Sequence, residues 1–266
     1  SRPPPLLVAD PFMKSHWPLA HALDEAGRMA SLGVQALGEM LAPPFEVRLW
    51  IREMEQIGVR SLGVAAIATI FTGMVLALQT AYSLPGLGVK YYIGTVVSKS
   101  VIRELGPVLI ALVVGGRIAA GMTAELGTMK VTEQIDALRA MAANPVKKLV
   151  VPKLIAALLM LPLLTIIGDL LGVLGGMIIG VYQLDLTPGF YFNDVLTDLT
   201  LEDIFSGIGK SFFFAFWITI VGCYNGLTAR GGADGVGRAT TNTVVVSAIL
   251  VLVTDFFLTK LFHLLA

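Results

Sequence analysis

Charge is scarce in this chain. Of its 266 residues, 14% are Asp, Glu, Lys or Arg and 55% are hydrophobic, and the mean hydropathy is +0.78. A soluble domain typically carries about 25% charged residues, so this composition excludes an ordinary soluble protein. The formal net charge is zero, which leaves no positive field for binding nucleic acid. The composition predicts an integral membrane protein.

Catalytic and metal-binding motifs are also absent from the sequence. The single cysteine, Cys223, excludes an intrachain disulfide and a cysteine metal cluster, and the three histidines are scattered. The chain has no G-x-x-x-x-G-K-[ST] loop, so it cannot by itself bind ATP as P-loop proteins do. The glycines of residues 231–237 follow no predicted strand, and we interpret them as a flexible cytoplasmic turn. The sequence therefore indicates neither an enzyme site nor a metal site.

Five apolar segments are long enough to cross a bilayer, which takes about 20 residues. They cover approximately residues 61–84, 96–122, 149–182, 208–228 and 243–265. The third segment is too long for one upright helix, but half of it would be too short. We therefore predict a single tilted or extended helix, kinked near Pro162. The expected fold is an all-α integral membrane protein with five transmembrane helices.

The loop charges predict the orientation of these helices. Residues 185–203 hold five acidic residues and no Lys or Arg. Basic residues concentrate in the alternate loops: Arg48, Arg52 and Arg60, then Lys130, Arg139, Lys147 and Lys148, then Arg230 and Arg238. By the positive-inside rule, the N-terminus is cytoplasmic and the C-terminus lies outside.

The residues before the first span form a separate region. We divide the chain into an N-terminal region, residues 1–56, and a membrane domain, residues 57–266. Residues 1–5 (SRPPP) are predicted to be disordered, and residues 19–41 to form a weakly amphipathic helix. Residues 45–57 mix apolar and charged side chains, which is typical of a helix lying in the cytoplasmic interface. No cleavable signal peptide is evident.

A polar stretch at residues 124–145 separates the second and third spans. Thr132 is predicted to cap a short helix, with Glu133 in its first turn and Asn144-Pro145 ending it. Three apolar residues recur at helical spacing: Ile135, Leu138 and Met141. A short amphipathic helix in the loop of a membrane protein suits docking to a partner. The alternative is a solvated connector.

Several ionisable residues lie within the predicted spans, where they are energetically expensive. Arg117 and Asp169, which lie among small residues, are expected to pair and hold helices together. Arg103 and Glu104 are adjacent and point in different directions, so a cavity is the favoured environment. Lys210 lies at the beginning of the fourth span. Its side chain can therefore extend to the membrane surface and need not belong to a cavity. An acidic residue at this depth also suits a proton relay.

A series of motifs in collinear order over about residues 57–262 resembles the MlaE/YrbE permease family. The motifs are FTGM at 71–74 with Gln79, RELGPV at 103–108, GR at 116–117, AELGTM at 124–129, TEQIDAL at 132–138, NP at 144–145 and GGADGVG at 231–237. Members of this family are the membrane subunits of MCE-type ABC systems, which move phospholipids across the bacterial envelope, and a related permease serves chloroplast lipid import. The resemblance implies nothing for residues 1–44.

The resemblance implies two functional sites. The first is a cytoplasmic coupling helix that docks into a groove of the ATPase, made of Glu133, Gln134, Ile135, Asp136, Ala137 and Leu138. The second is a lipid pocket at a dimer interface. Its polar part comprises Arg103 and Glu104, to which Lys210 and Asp255 are added by position, and its apolar part comprises Leu76, Leu78, Tyr82 and Leu105.

The implied assembly is a homodimer in the bacterial inner membrane. Each copy binds a cytoplasmic ABC ATPase, which holds ATP and magnesium, and a ring of MCE-domain proteins lies on the outer, periplasmic side. A small accessory subunit on the ATPase is also implied, and this chain itself needs no cofactor. Two alternatives stay open at this point. One is an ion-coupled secondary transporter that uses Glu104, Asp169 and Asp255, and the other is a structural anchor for the MCE ring.

Overall fold

A computed structural model describes residues 18–43, 45–83 and 92–265, and helices make up nearly all of this part. The helices are α1 Pro18–Met40, α2 Val47–Ile57, α3 Leu62–Ser83, α4 Ile93–Val131, α5 Gln134–Ala140, α6 Val146–Leu184, α7 Pro188–Asp198, α8 Leu201–Thr228 and α9 Gly232–Leu265. No β-strand occurs among the described residues. The predicted helix at residues 19–41 is confirmed as α1. The predicted disorder of residues 1–5 lies outside the described residues.

Five helical stretches of this part are long and apolar enough to cross a membrane: Val47–Ser83, Ile93–Val131, Val146–Leu184, Leu201–Thr228 and Gly232–Leu264. This confirms the five-span, all-α prediction. The third is one continuous helix that passes through Pro162, as predicted. The predicted ends were less accurate: α4 continues nine residues beyond 122, and α9 starts eleven residues before 243. Hydrophobicity marks only the part inside the bilayer, whereas the hydrogen-bonded helix continues into polar sequence.

The glycine-rich stretch 231–237 is largely helical, so its interpretation as a flexible turn was wrong beyond its first residues. Gly231 and Gly232 have φ angles of 91° and 66°, which favour glycine because they lie in the left-handed region. From Gly232 onward the chain forms the first turns of α9. Three residues, 229–231, therefore connect α8 to α9.

Close contact between α3 and α6 depends on glycine. A Cβ atom at Gly73 would overlap the carbonyl oxygen of Gly172, and one at Gly175 would overlap the carbonyl oxygen of Ile70. Small residues let two membrane helices approach until their backbones touch, which maximises dispersion contacts where lipid removes the hydrophobic driving force. This contact holds the first and third spans together.

The acidic segment 185–203, predicted as an outer loop, contains the helix α7. Tyr191 is fully buried, and its hydroxyl donates a hydrogen bond to the Val173 carbonyl oxygen at 3.1 Å. Asp194 Oδ2 accepts a hydrogen bond from the backbone N–H of Thr95 at 2.9 Å. This contact satisfies a free N–H group in the first turn of α4. α7 therefore packs against both α4 and α6 and positions the start of the second span.

Candidate functional site

Lys210 in α8 is the centre of a charged cluster inside the helix bundle. Its side chain is 0% exposed. Its Nζ atom donates to Glu104 Oε2 at 2.5 Å, to the Arg103 carbonyl oxygen at 3.1 Å and to Thr259 Oγ1 at 2.7 Å. It also lies 3.2 Å from Asp255 Oδ1. One buried ammonium group thus joins α4, α8 and α9, and it is not a lysine that extends its charge to the membrane surface.

Arg103 and Glu104 lie in a π-helical turn of α4, Val101–Leu105. A π-helical turn contains an extra residue, and such turns are frequent at functional sites. Pro107 follows and lacks a backbone N–H group, so it cannot continue the ordinary hydrogen-bond ladder. Within this turn, Glu104 bonds Lys210, whereas Arg103 Nη1 lies 3.1 Å from Asp203 Oδ1. The predicted divergence of the two side chains is confirmed.

The cluster contains more acid than base. Its three acidic residues are Glu104, Asp203 and Asp255, and its two basic residues are Arg103 and Lys210. Asp203 is paired with Arg103 and is 4% exposed. Asp255 Oδ1 is buried and lies 3.2 Å from the Lys210 Nζ atom. On the other side of the cluster, Glu104 and Asp255 share the single ammonium group of Lys210.

A cavity of about 420 Å³ opens beside this part of the cluster. Its wall combines polar and apolar side chains: Glu104, Asp255, Thr259, Lys260, His263, Leu252 and Phe256. Leu252 and Phe256 are 54% and 65% exposed, so the apolar wall faces outward from the chain. The cavity thus offers charged groups beside an open apolar surface, within the membrane-spanning part of the protein.

The loop helix α5 begins differently from the prediction. Thr132 is not its N-cap: α4 continues to Val131, and the Thr132 hydroxyl donates back to the Thr128 carbonyl oxygen at 2.7 Å. The residue before α5 is Glu133, with a left-handed φ of 61°. A Thr can cap the helix that follows only where the preceding helix has already ended. α4 ended later than its apolar pattern suggested.

The Asn144-Pro145 pair starts α6 and does not end α5. α5 ends at Ala140, and the chain turns at Ala142, whose φ is 58°. Asn144 Oδ1 then accepts a hydrogen bond from the Val146 N–H at 3.0 Å. Proline suits the beginning of a helix because its missing N–H would be unpaired there in any case. The loop between the second and third spans is therefore shorter than predicted.

The two faces of α5 differ. Ile135 is 0% exposed and belongs to the chain's own hydrophobic core, and Leu138 is half-buried. Asp136 receives hydrogen bonds from Lys130 at 2.9 Å and from Arg139 at 3.2 Å. The bond from Lys130 holds the pKa of the Asp136 carboxyl below its ordinary value. The exposed face presents Glu133, Gln134, Asp136 and Ala137.

Comparison with known proteins decides the family. The family model described as Permease MlaE matches residues 50–261. The chain belongs to the MlaE permease family. It is 43% identical over 236 residues to a probable ABC transporter permease protein of Rickettsia conorii, covering 89% of this chain and 91% of that protein. The chain is an ABC transporter permease, embedded in the membrane through several spans.

Two further relatives show the breadth of this family. The permease is 33% identical over 234 residues to the intermembrane phospholipid transport system permease protein MlaE of Haemophilus influenzae, covering 86% of this chain and 89% of that protein. It is 35% identical over 212 residues to the chloroplastic protein TRIGALACTOSYLDIACYLGLYCEROL 1 of Arabidopsis thaliana. The match covers 80% of this chain and 61% of that protein.

The structure brings together four of the eight residues predicted for the pocket: Arg103, Glu104, Lys210 and Asp255. The other four lie elsewhere. Leu76 and Leu78 of α3 pack against a second hydrophobic cluster, which contains Ile93 and Tyr191. Tyr82 and Leu105 are 75% and 38% exposed. None of these four lines the cavity beside Glu104.

Five cavity residues of the permease were missed by the sequence analysis: the apolar Leu252 and Phe256, and the polar Thr259, Lys260 and His263. A signal for two of them existed, because Asp255, Thr259 and His263 are spaced by four residues and share one face of a helix.

Arg117 and Asp169 do not pair with each other. Arg117 Nη2 donates to Ser61 Oγ at 2.5 Å, which ties α4 to the beginning of the first span. Asp169 is 7% exposed, lies against Gly106, and has no hydrogen-bond partner for Oδ1 among the described residues. The expectation that these residues pair with other ionisable side chains was therefore wrong in the described part of the chain, although Arg117 does join two helices through a hydroxyl.

A second ionic site connects the N-terminal helices to the loop beside α5. Lys153 of α6 is 2% exposed, and its Nζ atom contacts Glu53 Oε1 of α2 at 2.9 Å and Glu125 Oε2 of α4 at 2.6 Å. Three nearby contacts join the same regions: Asn144 to Glu39, Lys147 to the Pro43 carbonyl oxygen, and Lys148 to Glu46. α1 and α2 are thus fastened to the segment that follows the loop helix.

Proposed function

We propose that this chain is the permease of an ABC system that moves phospholipid between the inner membrane and the outer envelope of a bacterium. The observation that carries the proposal is the cavity beside Glu104, Lys210 and Asp255, whose wall is charged at one place and apolar at another. A phospholipid needs both surfaces, since its head group needs polar contacts and its acyl chains need an apolar wall. The name of the Haemophilus relative supports this substrate.

The cluster also suits a transport cycle. Its charges come from α4, α8 and α9, so a relative movement of these helices changes the contacts of Lys210. Two conformations with different contacts bind a lipid with different affinities. A change from the tighter-binding to the weaker-binding conformation therefore releases the lipid. Energy comes from ATP and magnesium bound by a partner ATPase, because the sequence has no P-loop.

The ATPase binds at α5 in this proposal. Its exposed face, with Glu133, Gln134, Asp136, Ala137 and the half-buried Leu138, makes the contact, whereas Ile135 anchors the helix within the permease. A second copy of the chain completes a homodimer, and an MCE ring covers the outer side. An accessory subunit binds the ATPase.

Leu138→Arg tests this docking. An apolar anchor at an interface is worth about 2 kcal/mol or more, so this variant should lose the co-purifying ATPase while remaining in the membrane. Thr197→Arg, an exposed position on α7, is the control and should retain it. Equal ATPase recovery in both variants would exclude α5 as the docking site.

The proposed orientation places α5 in the cytoplasm and α7 in the periplasm, with the N-terminus inside and the C-terminus outside. In a Cys223→Ser background, single cysteines replace the exposed residues Gln134 and Thr197. A membrane-impermeant thiol reagent added from outside should label position 197 and spare position 134. The opposite pattern would reverse the orientation.

The lipid site is tested with a matched pair of tryptophan substitutions on α9. Leu252 lines the cavity and is 54% exposed. Leu261 is similarly exposed, at 48%, but does not line the cavity. Nine residues correspond to about 900° of helical rotation, so the two side chains lie on opposite faces. Leu252→Trp should reduce the phospholipid that co-purifies with each assembled complex, and Leu261→Trp should not.

Two outcomes would refute the proposed function. Unchanged lipid content and transport in Leu252→Trp, Glu104→Ala and Arg103→Ala would leave the charged cluster a bracing element of a scaffold. Lipid movement that follows a proton gradient and continues without ATP would instead indicate an ion-coupled transporter.

A further inference from the structure

The cavity beside the charged cluster has two ends of opposite character. Two rows of side chains on α9 line it, each with a spacing of four residues: Asp255, Thr259 and His263 in one row, and Leu252, Phe256 and Lys260 in the other. Residues four apart lie above one another on the same helix face. The acidic end, with Asp255, therefore lies deeper along α9, and the basic end, with Lys260 and His263, lies closer to the C-terminus.

At the acidic end of the cavity, two carboxylates share one ammonium group. Lys210 serves both Glu104 and Asp255, and Arg103 is occupied by Asp203. Glu104 and Asp255 keep 38% and 21% of their side-chain surface exposed, and both line the cavity. An unpaired charge within a membrane-spanning segment is costly, so a mobile cation that enters the cavity is strongly favoured.

The basic end offers a cation that is free to bind an anion. In the described part of the chain no ion pair engages Lys260, and its side chain is exposed. Five residues of helix correspond to a rise of about 7.5 Å between Asp255 and Lys260. The long, flexible lysine side chain can shorten that separation. Both ends can therefore contact a single small dipolar group.

We propose that the cavity selects phospholipids whose head group carries a primary ammonium, an inference that rests on the proposed function of the permease. The ammonium binds between Glu104 and Asp255, and the phosphate lies toward Lys260. A primary ammonium has three N–H donors, as has the Lys210 ammonium that these carboxylates already contact. A head group with a phosphate but no cation binds the basic end alone and leaves the excess carboxylate uncompensated.

The experiment uses the intact permease–ATPase complex in lipid discs that contain equal amounts of phosphatidylethanolamine and phosphatidylglycerol. The lipids that stay bound are counted by native mass spectrometry. The wild type should retain roughly ten times more phosphatidylethanolamine than phosphatidylglycerol, the discrimination expected for one hydrogen bond to a charged group. Asp255→Asn should abolish this preference. Asp234→Asn, an exposed acidic position at the other end of α9, should preserve it.

A lysine variant and a second acidic variant complete the test. Lys260→Gln should weaken the binding of both lipids to a similar extent, because both carry a phosphate. If Asp255→Asn fails to assemble, Glu104→Gln replaces it with the same expected loss of preference.

Bound lipid without a preference in the wild type, or a preference for phosphatidylglycerol, would overturn the proposed selectivity while leaving the transport function standing. A preference that persists in Asp255→Asn and Glu104→Gln would also overturn it. A wild-type complex that neither retains nor moves any phospholipid would instead refute the proposed function itself.

Discussion

Replacing Lys153 by methionine should destabilise the permease through the two carboxylates that it leaves behind. The lysine is 2% exposed, Glu53 is 17% exposed and Glu125 is 43% exposed. Methionine has a similar length but no charge. Glu125 can then turn toward water, whereas Glu53 is largely enclosed and loses the one charge partner it has in the described part of the chain.

The magnitude follows from this difference in exposure. Removing one partner of a buried ion pair costs about 3–5 kcal/mol, and the partial exposure of Glu125 places the expected value near the lower limit, about 3 kcal/mol. Replacing both Lys153 and Glu53 by methionine removes the uncompensated charge. Since exchanging a buried ion pair for apolar residues is often neutral, the double variant should recover most of the loss, and the coupling energy should be about 2 kcal/mol.

Thermal unfolding of the purified permease measures this effect. At about 2–4 °C per kcal/mol, Lys153→Met should lower the Tm by roughly 6 to 12 °C. The control is Lys148→Met, because Lys148 is 47% exposed and pairs with Glu46 near the surface, where an ion pair is worth at most about 1 kcal/mol. Equal Tm losses for the two lysine variants, or no recovery in the double variant, would refute the reasoning.

Three further predictions concern other parts of the molecule. Gly73→Ala should lower the free energy of unfolding by about 1–3 kcal/mol, because the added Cβ atom forces α3 away from Gly172. The control is Gly63→Ala on the same helix, where the Cβ atom meets open space, and it should be neutral or stabilising in thermal unfolding. Asp169→Asn should be tolerated because Oδ1 has no partner to lose, and a loss above about 1 kcal/mol would show that the carboxylate is needed. The pKa of Asp136 is lowered, so its ion pairs stabilise above the ordinary Asp value of about 3.9 and are lost as pH falls through the lowered value. Any Tm difference between the wild type and Asp136→Asn at pH 7 should therefore vanish in acid.

The sequence was sufficient for the number and class of the helices. Each of the five spans needs about 20 apolar residues in succession, and the helix satisfies every backbone hydrogen bond within the segment itself. Both requirements are local, which is why the third span could be predicted as one helix across Pro162. Charge within apolar segments is equally visible in the sequence, and it drew attention to Arg103, Glu104, Lys210 and Asp255 before any partner was known.

Local patterns were insufficient where a helix extends beyond the hydrocarbon region. Thr132 was predicted to cap α5, but α4 extends to Val131 and places Thr132 at its own end. A turn was likewise expected at residues 231–237, but α9 begins at Gly232. A helix ends where its backbone groups find other partners, and those partners are supplied by packing and not by the apolar run.

Pairings between distant residues were decided only by the tertiary structure. Lys210 meets Glu104 and Asp255 because α4, α8 and α9 pack against one another, and the sequence contains no measure of their relative depth or rotation. Arg117 bonds Ser61 and not Asp169 for the same reason. The apolar length of a span is a property of one segment, and it determines that a helix crosses the membrane. The contacts of a charge within the span depend on how three or more helices pack, and a rotation of any one of them moves the charge to another neighbour.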